Sequence, residues 1–333
     1  MKSKSKQWYC DTIGKIEKNI LPLVFIILFI LIWAAVSKPA SFYTVGNLVA
    51  MAYQIPEFGI LSLGMAVCMI SGGIDLSLVG IANLCSVTAA LTVTGTGSAA
   101  LAILLAVAVG VACGAFNGVM TGVLGIPPML VTLGGLQIFT GLATAVTKGV
   151  AITGIPEGFL EIGNGLLFGA VPISLVLLLV SALLLHLVLR YTVYGQQVYM
   201  MGTNATASRY TGINNVTVNI RTYALSGLLA SLSGIIMCSR YGSANADYGS
   251  SYTLLTLLIA VLGGINPDGG KGRIFGVLLS IVILQLVSSM FNIFRFNSFL
   301  KTCIWGLILM VVMVINHWAL GFIKTRKPGK NRE

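Results

Sequence analysis

Residues Ser98–Val123 read SAALAILLAVAVGVACGAFNGVMTGV, a run without one charged side chain. A helix needs about 20 apolar residues to cross the hydrocarbon of a bilayer, and this run exceeds that. Working outward in both directions, comparable runs fall at 20–37, 47–70, 76–94, 127–147, 166–189, 222–239, 250–263, 274–291 and 299–319. The expected architecture is therefore all-α: a polytopic transmembrane bundle of about ten spans. The run at 250–263 is short, and is expected to tilt or to enter the membrane without crossing it. The first run follows a basic segment, as a signal peptide would. It continues into Ser37-Lys38-Pro39 without a small-residue cleavage site, so an uncleaved helix is expected.

Composition agrees. Of 333 residues only 9% are charged and 56% are hydrophobic, and the mean hydropathy is +0.94. A soluble domain carries about 25% charge, and so few charges could not cover its surface. Soluble enzymes, nucleic-acid binders and disordered chains are excluded. The net charge of +11 points to membrane orientation rather than nucleic acid, because the basic residues flank apolar runs. With the N-terminus in the cytosol and ten alternating spans, 15 Lys and Arg fall inside and 5 (Lys38, Lys148, Arg240, Arg295, Lys301) outside. That bias places both termini in the cytosol and gives three parts: a basic segment at 1–19, a membrane domain at 20–319 and a basic tail at 320–333.

Several motifs suggest chemistry and fail to support it. Six scattered cysteines lack CxxC spacing and only two histidines exist, so neither a disulfide framework nor a metal site is expected. Gly264–Arg273 looks like a phosphate loop, but Ile265 stands where its first glycine belongs and Gly272 where Ser or Thr must hold magnesium. The segment reads as a tight turn instead. No cofactor and no catalysis are expected of the chain.

Two acidic residues stand out. Asp75 follows Gly72 and Gly73 and precedes a span. It is read as a cap accepting free backbone N–H groups, or as a functional intramembrane charge. Glu57 lies inside a span after Pro56, where a carboxylate needs water or a partner. The pair gives thin support for an ion-coupled carrier.

Glycine is patterned too. Gly110, Gly114, Gly118 and Gly122 recur every four residues, a smooth stripe for close helix packing or for a substrate path. Gly72-Gly73-Ile74-Asp75 echoes Gly263-Gly264-Ile265-Asn266, each ending one apolar run before another, as in transporters with internal repeats.

The longest predicted cytosolic segment is 190–221. Asn204 is a good N-cap, Ala205–Tyr210 favours one or two helical turns, and Gly212 ends them. Such a helix suits docking into another protein's groove; the plain alternative is a loop lying on the membrane.

Together these residues resemble the permeases of bacterial ABC importers for simple sugars, the ribose, xylose, arabinose and galactoside group, over roughly residues 45–318. Ser71-Gly-Gly-Ile-Asp-Leu-Ser77 is similar to that family's Gly-Gly-Ile-Asp-Leu-Ser signature. Asn117-Gly118 and Ile126-Pro127-Pro128-Met-Leu-Val-Thr132-Leu-Gly134 match its Asn-Gly and Pro-Pro block. Gly202-Thr203-Asn204, Ala207 and Gly212-Ile213 match its cytosolic loop. Leu225–Ala230, Leu262–Gly264 and Gly269–Arg273 match the last blocks. Ala205 and Thr206 depart from the acidic residues usual after the asparagine, and one residue is added before Val79-Gly80.

The resemblance implies a bacterial inner-membrane subunit that pairs with a second permease, identical or not. It implies two partner ATPases that supply the energy and an extracytoplasmic binding protein that delivers the sugar. Gly202, Thr203, Asn204, Ala207, Arg209, Gly212 and Ile213 would seat in the ATPase. Gly72, Gly73, Asp75, Pro127, Pro128, Gly263 and Gly264 would act as structural or hinge positions. Sparse polar groups in the spans, Asn83, Asn117, Thr132 and Gln137, are expected near the path. The alternative cargo is a furanose-like signal molecule or a nucleoside; the alternative class is an ion-coupled secondary transporter or channel.

Overall fold

The computed structural model describes residues 42–169 and 171–325, with seven isolated positions between Leu23 and Trp33. The expected span at 20–37 and the basic segment at 1–19 therefore lie largely outside the described residues. Helices dominate: α1 (Val45–Ile70), α2 (Leu78–Thr96), α3 (Ala99–Gly122), α4 (Pro128–Thr147), α5 (Glu157–Asn164), α6 (Ile173–Tyr191), α7 (Val193–Thr203), α8 (Ala205–Tyr210), α9 (Asn215–Tyr241), α10 (Tyr252–Leu262), α11 (Ile274–Ile293) and α12 (Ser298–Thr325). Four two-residue strands join them. Ile152–Thr153 (β1) pairs antiparallel with Ser243–Ala244 (β4), and Leu166–Leu167 (β2) pairs with Val171–Pro172 (β3).

Among the described residues, seven helices (α1, α2, α3, α4, α6, α9 and α11) are long and apolar enough to cross a membrane. Their connections alternate between two ends. One end carries Arg190, Arg209, Arg221, Lys271 and Arg273 and is called the basic end below. α1, α9 and α2 form the buried centre, while α3, α4 and α6 expose most of their length. In a bilayer those exposed Leu, Val and Ile side chains face lipid, which is as apolar as they are.

The glycine stripe is a packing surface. A Cβ on Gly110 would stand 2.6 Å from the Gly227 carbonyl oxygen of α9, and one on Gly118 would stand 2.6 Å from Ile220 Cα; at Gly114 it would overlap the Tyr223 carbonyl. The α3 and α9 backbones thus touch where any side chain would wedge them apart.

One expected span needs correction. Of 166–189 only 173 onward is helical. Pro172 cannot donate into a continuing helix, and the apolar Leu166 and Leu167 pair with Val171 and Pro172 in a hairpin whose Phe168 is 97% exposed. The short run at 250–263 forms an 11-residue helix, α10, about 16 Å long at 1.5 Å per residue, half of a hydrocarbon layer about 30 Å thick. In addition, α12 continues to Thr325, past the expected end at 319.

Candidate functional site

At the basic end three segments meet backbone to backbone. α1 closes with Ser71 N, Gly72 N and Gly73 N donating to the carbonyls of Val67, Met69 and Cys68 at 3.1, 3.0 and 3.0 Å. α10 closes the same way: Gly263 N, Gly264 N and Ile265 N donate to Ile259, Val261 and Ala260 at 2.9, 3.0 and 3.1 Å. Gly72 (φ +92°) and Gly264 (φ +81°) take the left-handed position that each closure demands. The sequence echo is thus a pair of like helix ends. Structurally it is shifted by one residue, with Gly72 matching Gly264 and Gly73 matching Ile265.

Between the end of α1 and the 266–272 loop that follows α10 sits Gly202, in the last turn of α7. A Cβ there would overlap the Ile70 carbonyl oxygen and stand 2.6 Å from Gly270 N. Gly270 N itself donates to Ile70 O at 2.8 Å. The Tyr199 hydroxyl, one turn earlier, donates to Gly272 O at 2.9 Å; burial pushes this phenol above its usual range, against a smaller downward pull from Arg273. Tyr194 shares a 2.9 Å hydrogen bond with Thr222 at the base of α9, and burial raises its phenol to about 12. α7 is therefore fastened to the end of α1, to α9 and to the loop after α10 together.

α8 projects from this junction. Asn204 is its N-cap, Oδ1 accepting from Ala207 N at 2.9 Å, and Gly212 (φ +85°) lets the chain leave. Thr203, Asn204, Ala207 and Arg209 are exposed, as is Tyr210 at 89%. Ser208 is buried, bonded to Asn215 at 2.9 Å, and half-buried Ile213 packs on the core. A cavity of about 340 Å³ opens beneath α8, lined among others by Ser71, Gly73, Thr121, Met201, Arg209 and Asn219.

The 71–77 connector is pinned from inside. Asp75 is fully buried. One carboxylate oxygen accepts from Ser77 N (3.1 Å) and Ser77 Oγ (2.6 Å), and the other from Ser226 Oγ of α9 (2.9 Å). Ser77, not Asp75, is the N-cap residue of α2. Asn117 Nδ2 donates to Ser77 Oγ at 2.8 Å. Thr132 Oγ1 reaches both Ile74 O and Pro128 O at 3.0 Å; Pro127 and Pro128 form the start of α4. Asn117 and Thr132 are thus brought to Asp75. Gln137 is exposed on α4, away from both. Asn83 lies elsewhere, with Nδ2 donating to Ala246 O at 2.7 Å.

A second polar cluster, which sequence reasoning missed, surrounds Glu57. This carboxylate is fully buried and accepts from Arg240 Nη1, from the Tyr241 hydroxyl (2.7 Å) and from the Tyr252 hydroxyl (2.9 Å). Arg240 also donates to Tyr53 O at 3.2 Å. Arg240 therefore closes α9 against Glu57 and Tyr53 rather than hanging free in a loop. The available signal was complementarity: Glu57 is the lone acid within an apolar span, and Arg240 is the lone base closing another.

With this geometry in place, comparison defines the class. The chain matches the family described as "Branched-chain amino acid transport system / permease component" over residues 47–315, and it belongs to that family of multi-pass membrane permeases. Among curated relatives, the ribose import permease protein RbsC of Bacillus subtilis is 31% identical over 294 residues, covering 88% of this chain and 91% of the relative. The L-arabinose transport system permease protein AraH of Escherichia coli is 31% identical over 296 residues, 89% of each chain. The autoinducer 2 import system permease protein LsrC of Yersinia enterocolitica is 32% identical over 258 residues, 77% of this chain and 71% of the relative. No solved structure matches the chain.

Proposed function

We propose that this chain is the membrane-spanning subunit of an ATP-driven importer for a simple sugar of the pentose or hexose class. It carries no ATP site of its own. A partner ATPase binds α8 at the basic end, which faces the cytosol together with both termini. A second permease subunit, identical or not, completes the pathway, and an extracytoplasmic binding protein delivers the sugar. Residues 1–19 and 320–333 are its basic cytosolic flanks and 20–319 its membrane domain.

The observation that carries this reading is the seating of α7 and α8. α8 offers an exposed, capped face with Thr203, Asn204, Ala207, Arg209 and Tyr210, while its root is locked at Gly202 between the end of α1 and the 266–272 loop that joins α10 to α11. A push on α8 reaches both segments at once. Two arrangements of the helices then exchange as nucleotide closes the ATPase dimer. Within this scheme Gly202 transmits force and the exposed residues make contact. Gly212 and Ile213 return the chain to α9.

The names of the ribose and arabinose permeases favour a sugar over the amino acid of the family description. LsrC favours, as the second cargo, a furanose-like signal molecule. An ion-coupled carrier is disfavoured by the two buried carboxylates: Glu57 is saturated by three donors and Asp75 by another three. The test is purification of the tagged permease from native membranes, followed by assay of the preparation for ATP hydrolysis stimulated by sugar and binding protein. Alkaline phosphatase fused after residue 333 should be inactive if that terminus is cytosolic.

A further inference from the structure

The stretch between α9 and α10 starts beside α5, where Ser239 Oγ accepts from Gly163 N at 2.7 Å, and reaches inward to Glu57 and Asn83. Ser233 of α9 donates to Glu57 O at 2.6 Å, Arg240 and Tyr241 reach the Glu57 carboxylate, and Tyr252 at the start of α10 reaches it too. Glu57 is about 18 Å from one end of α1 and about 20 Å from the other, at 1.5 Å per residue. Asn83, which holds Ala246, has about 20 Å of α2 still to run beyond it. Residues 241–252 therefore form a helix break that dips to the level of the middle of α1.

Irregular backbone at that depth is tolerated only where protein satisfies it or where it lines a water-filled space. Part of the break is satisfied: Ala244 pairs with Ile152, and Asn83 takes the Ala246 carbonyl. The remainder offers polar surface. Tyr241 is 44% exposed, and Asp247 and Ser250 are exposed. Tyr248 packs edge-on to Tyr241 at 5.3 Å, its hydroxyl 2.7 Å from Ser243 Oγ. Beside the break, Asn83 Oδ1 is a buried acceptor without a donor among the described residues. Set against hydrocarbon, the Asp247 carboxylate alone would be costly.

We infer that the α9–α10 break is the solute contact point of the permease, a site where the ring of a neutral polyhydroxylated molecule rests on Tyr241 and Tyr248 and its hydroxyls reach Asp247, while buried Asn83 holds the break from behind. This deepens the proposed function and rests on it for the ligand class. Secondary transporters commonly place substrate at discontinuous helices. Glu57 and Arg240 are positioning residues: Glu57 accepts from the Tyr241 and Tyr252 hydroxyls, and Arg240 Nη1 ties it to Tyr53 O. Few polar groups with exposed aromatic surface suit passage, which needs weak contact rather than tight binding.

The site is tested in the intact complex by access and by transport. In a permease whose native cysteines are alanine, Tyr248→Cys and Asp247→Cys should react with a membrane-impermeant maleimide, while Leu183→Cys on the lipid face of α6 should not. With ribose and arabinose as probes, Tyr248→Ala should lower uptake about tenfold, the loss of roughly one aromatic contact, while ATP hydrolysis persists. Tyr248→Phe should stay within about twofold, since the ring remains. Absence of labelling at both positions, with and without nucleotide, overturns the site, as does parental uptake by Tyr248→Ala. A parental complex that imports neither probe with ATP, yet labels at 247 and 248, leaves the aqueous break standing and counts against the sugar reading instead.

Discussion

The permease interrupts its helices in two places, and the two are built from opposite materials. At the basic end, Gly72, Gly202 and Gly270 bring three backbones into contact with no side chain between them. At the level of Glu57, the α9–α10 break is held mainly by side chains: Arg240, Tyr241 and Tyr252 around the Glu57 carboxylate and Asn83 on the Ala246 carbonyl, beside one short backbone pairing of Ser243–Ala244 with Ile152–Thr153. Backbone contact leaves no rotamer to absorb a displacement, so it passes motion on. A side-chain network can rearrange and can meet a passing solute. The difference separates a transmission point from a contact point.

Substitutions should expose that contrast. The largest effect belongs to Gly202→Leu, whose side chain has no place between Ile70 and Gly270; expression and detergent extraction should return no folded complex. Recovery of a parental melting profile would break the comparison. Next comes Arg240→Ala, which leaves Glu57 buried and unpaired and should cost about 3 kcal/mol, read as a lowered unfolding midpoint. Glu57→Gln combined with Arg240→Gln should recover most of that loss, because charge rather than shape is at stake.

Gly72→Ala sharpens the comparison from within the junction. Its Cβ would meet nothing nearer than 3.7 Å, so only the left-handed backbone resists it, at about 1–2 kcal/mol. It should fold where Gly202→Leu does not, with a modestly reduced melting temperature. The smallest effect is that of Asn204→Ala. Loss of the cap should cost α8 about 1 kcal/mol and weaken retention of the ATPase on the purified permease, whereas Asn204→Asp should keep it.

Much of the fold was legible because charge-free runs admit few alternatives. α3 runs 99–122 against an expected 98–123, and Asn204 and Gly212 mark the ends of α8 as their local chemistry requires. The hairpin at 166–172 was not legible, since Leu166, Leu167 and Phe168 are as apolar as a helix entry. The junction was half legible. Gly202 stood out, but as a contact residue, because sequence shows that a glycine is present and not what approaches it. The α9–α10 break was invisible. Arg240–Ser251 reads as an ordinary polar loop, and its depth follows only from Glu57, Asn83 and Ser233, residues far away in the chain. Asn83 was singled out as polar in a span; that it holds the break could not be seen.

The most direct test of the account is uptake into proteoliposomes containing the purified permease with its ATPase, binding protein outside and ATP inside. The account predicts accumulation of labelled ribose or arabinose against its gradient, dependent on ATP and indifferent to ionophores that collapse proton and sodium gradients. Accumulation that persists without ATP and vanishes with the ionophores would contradict it.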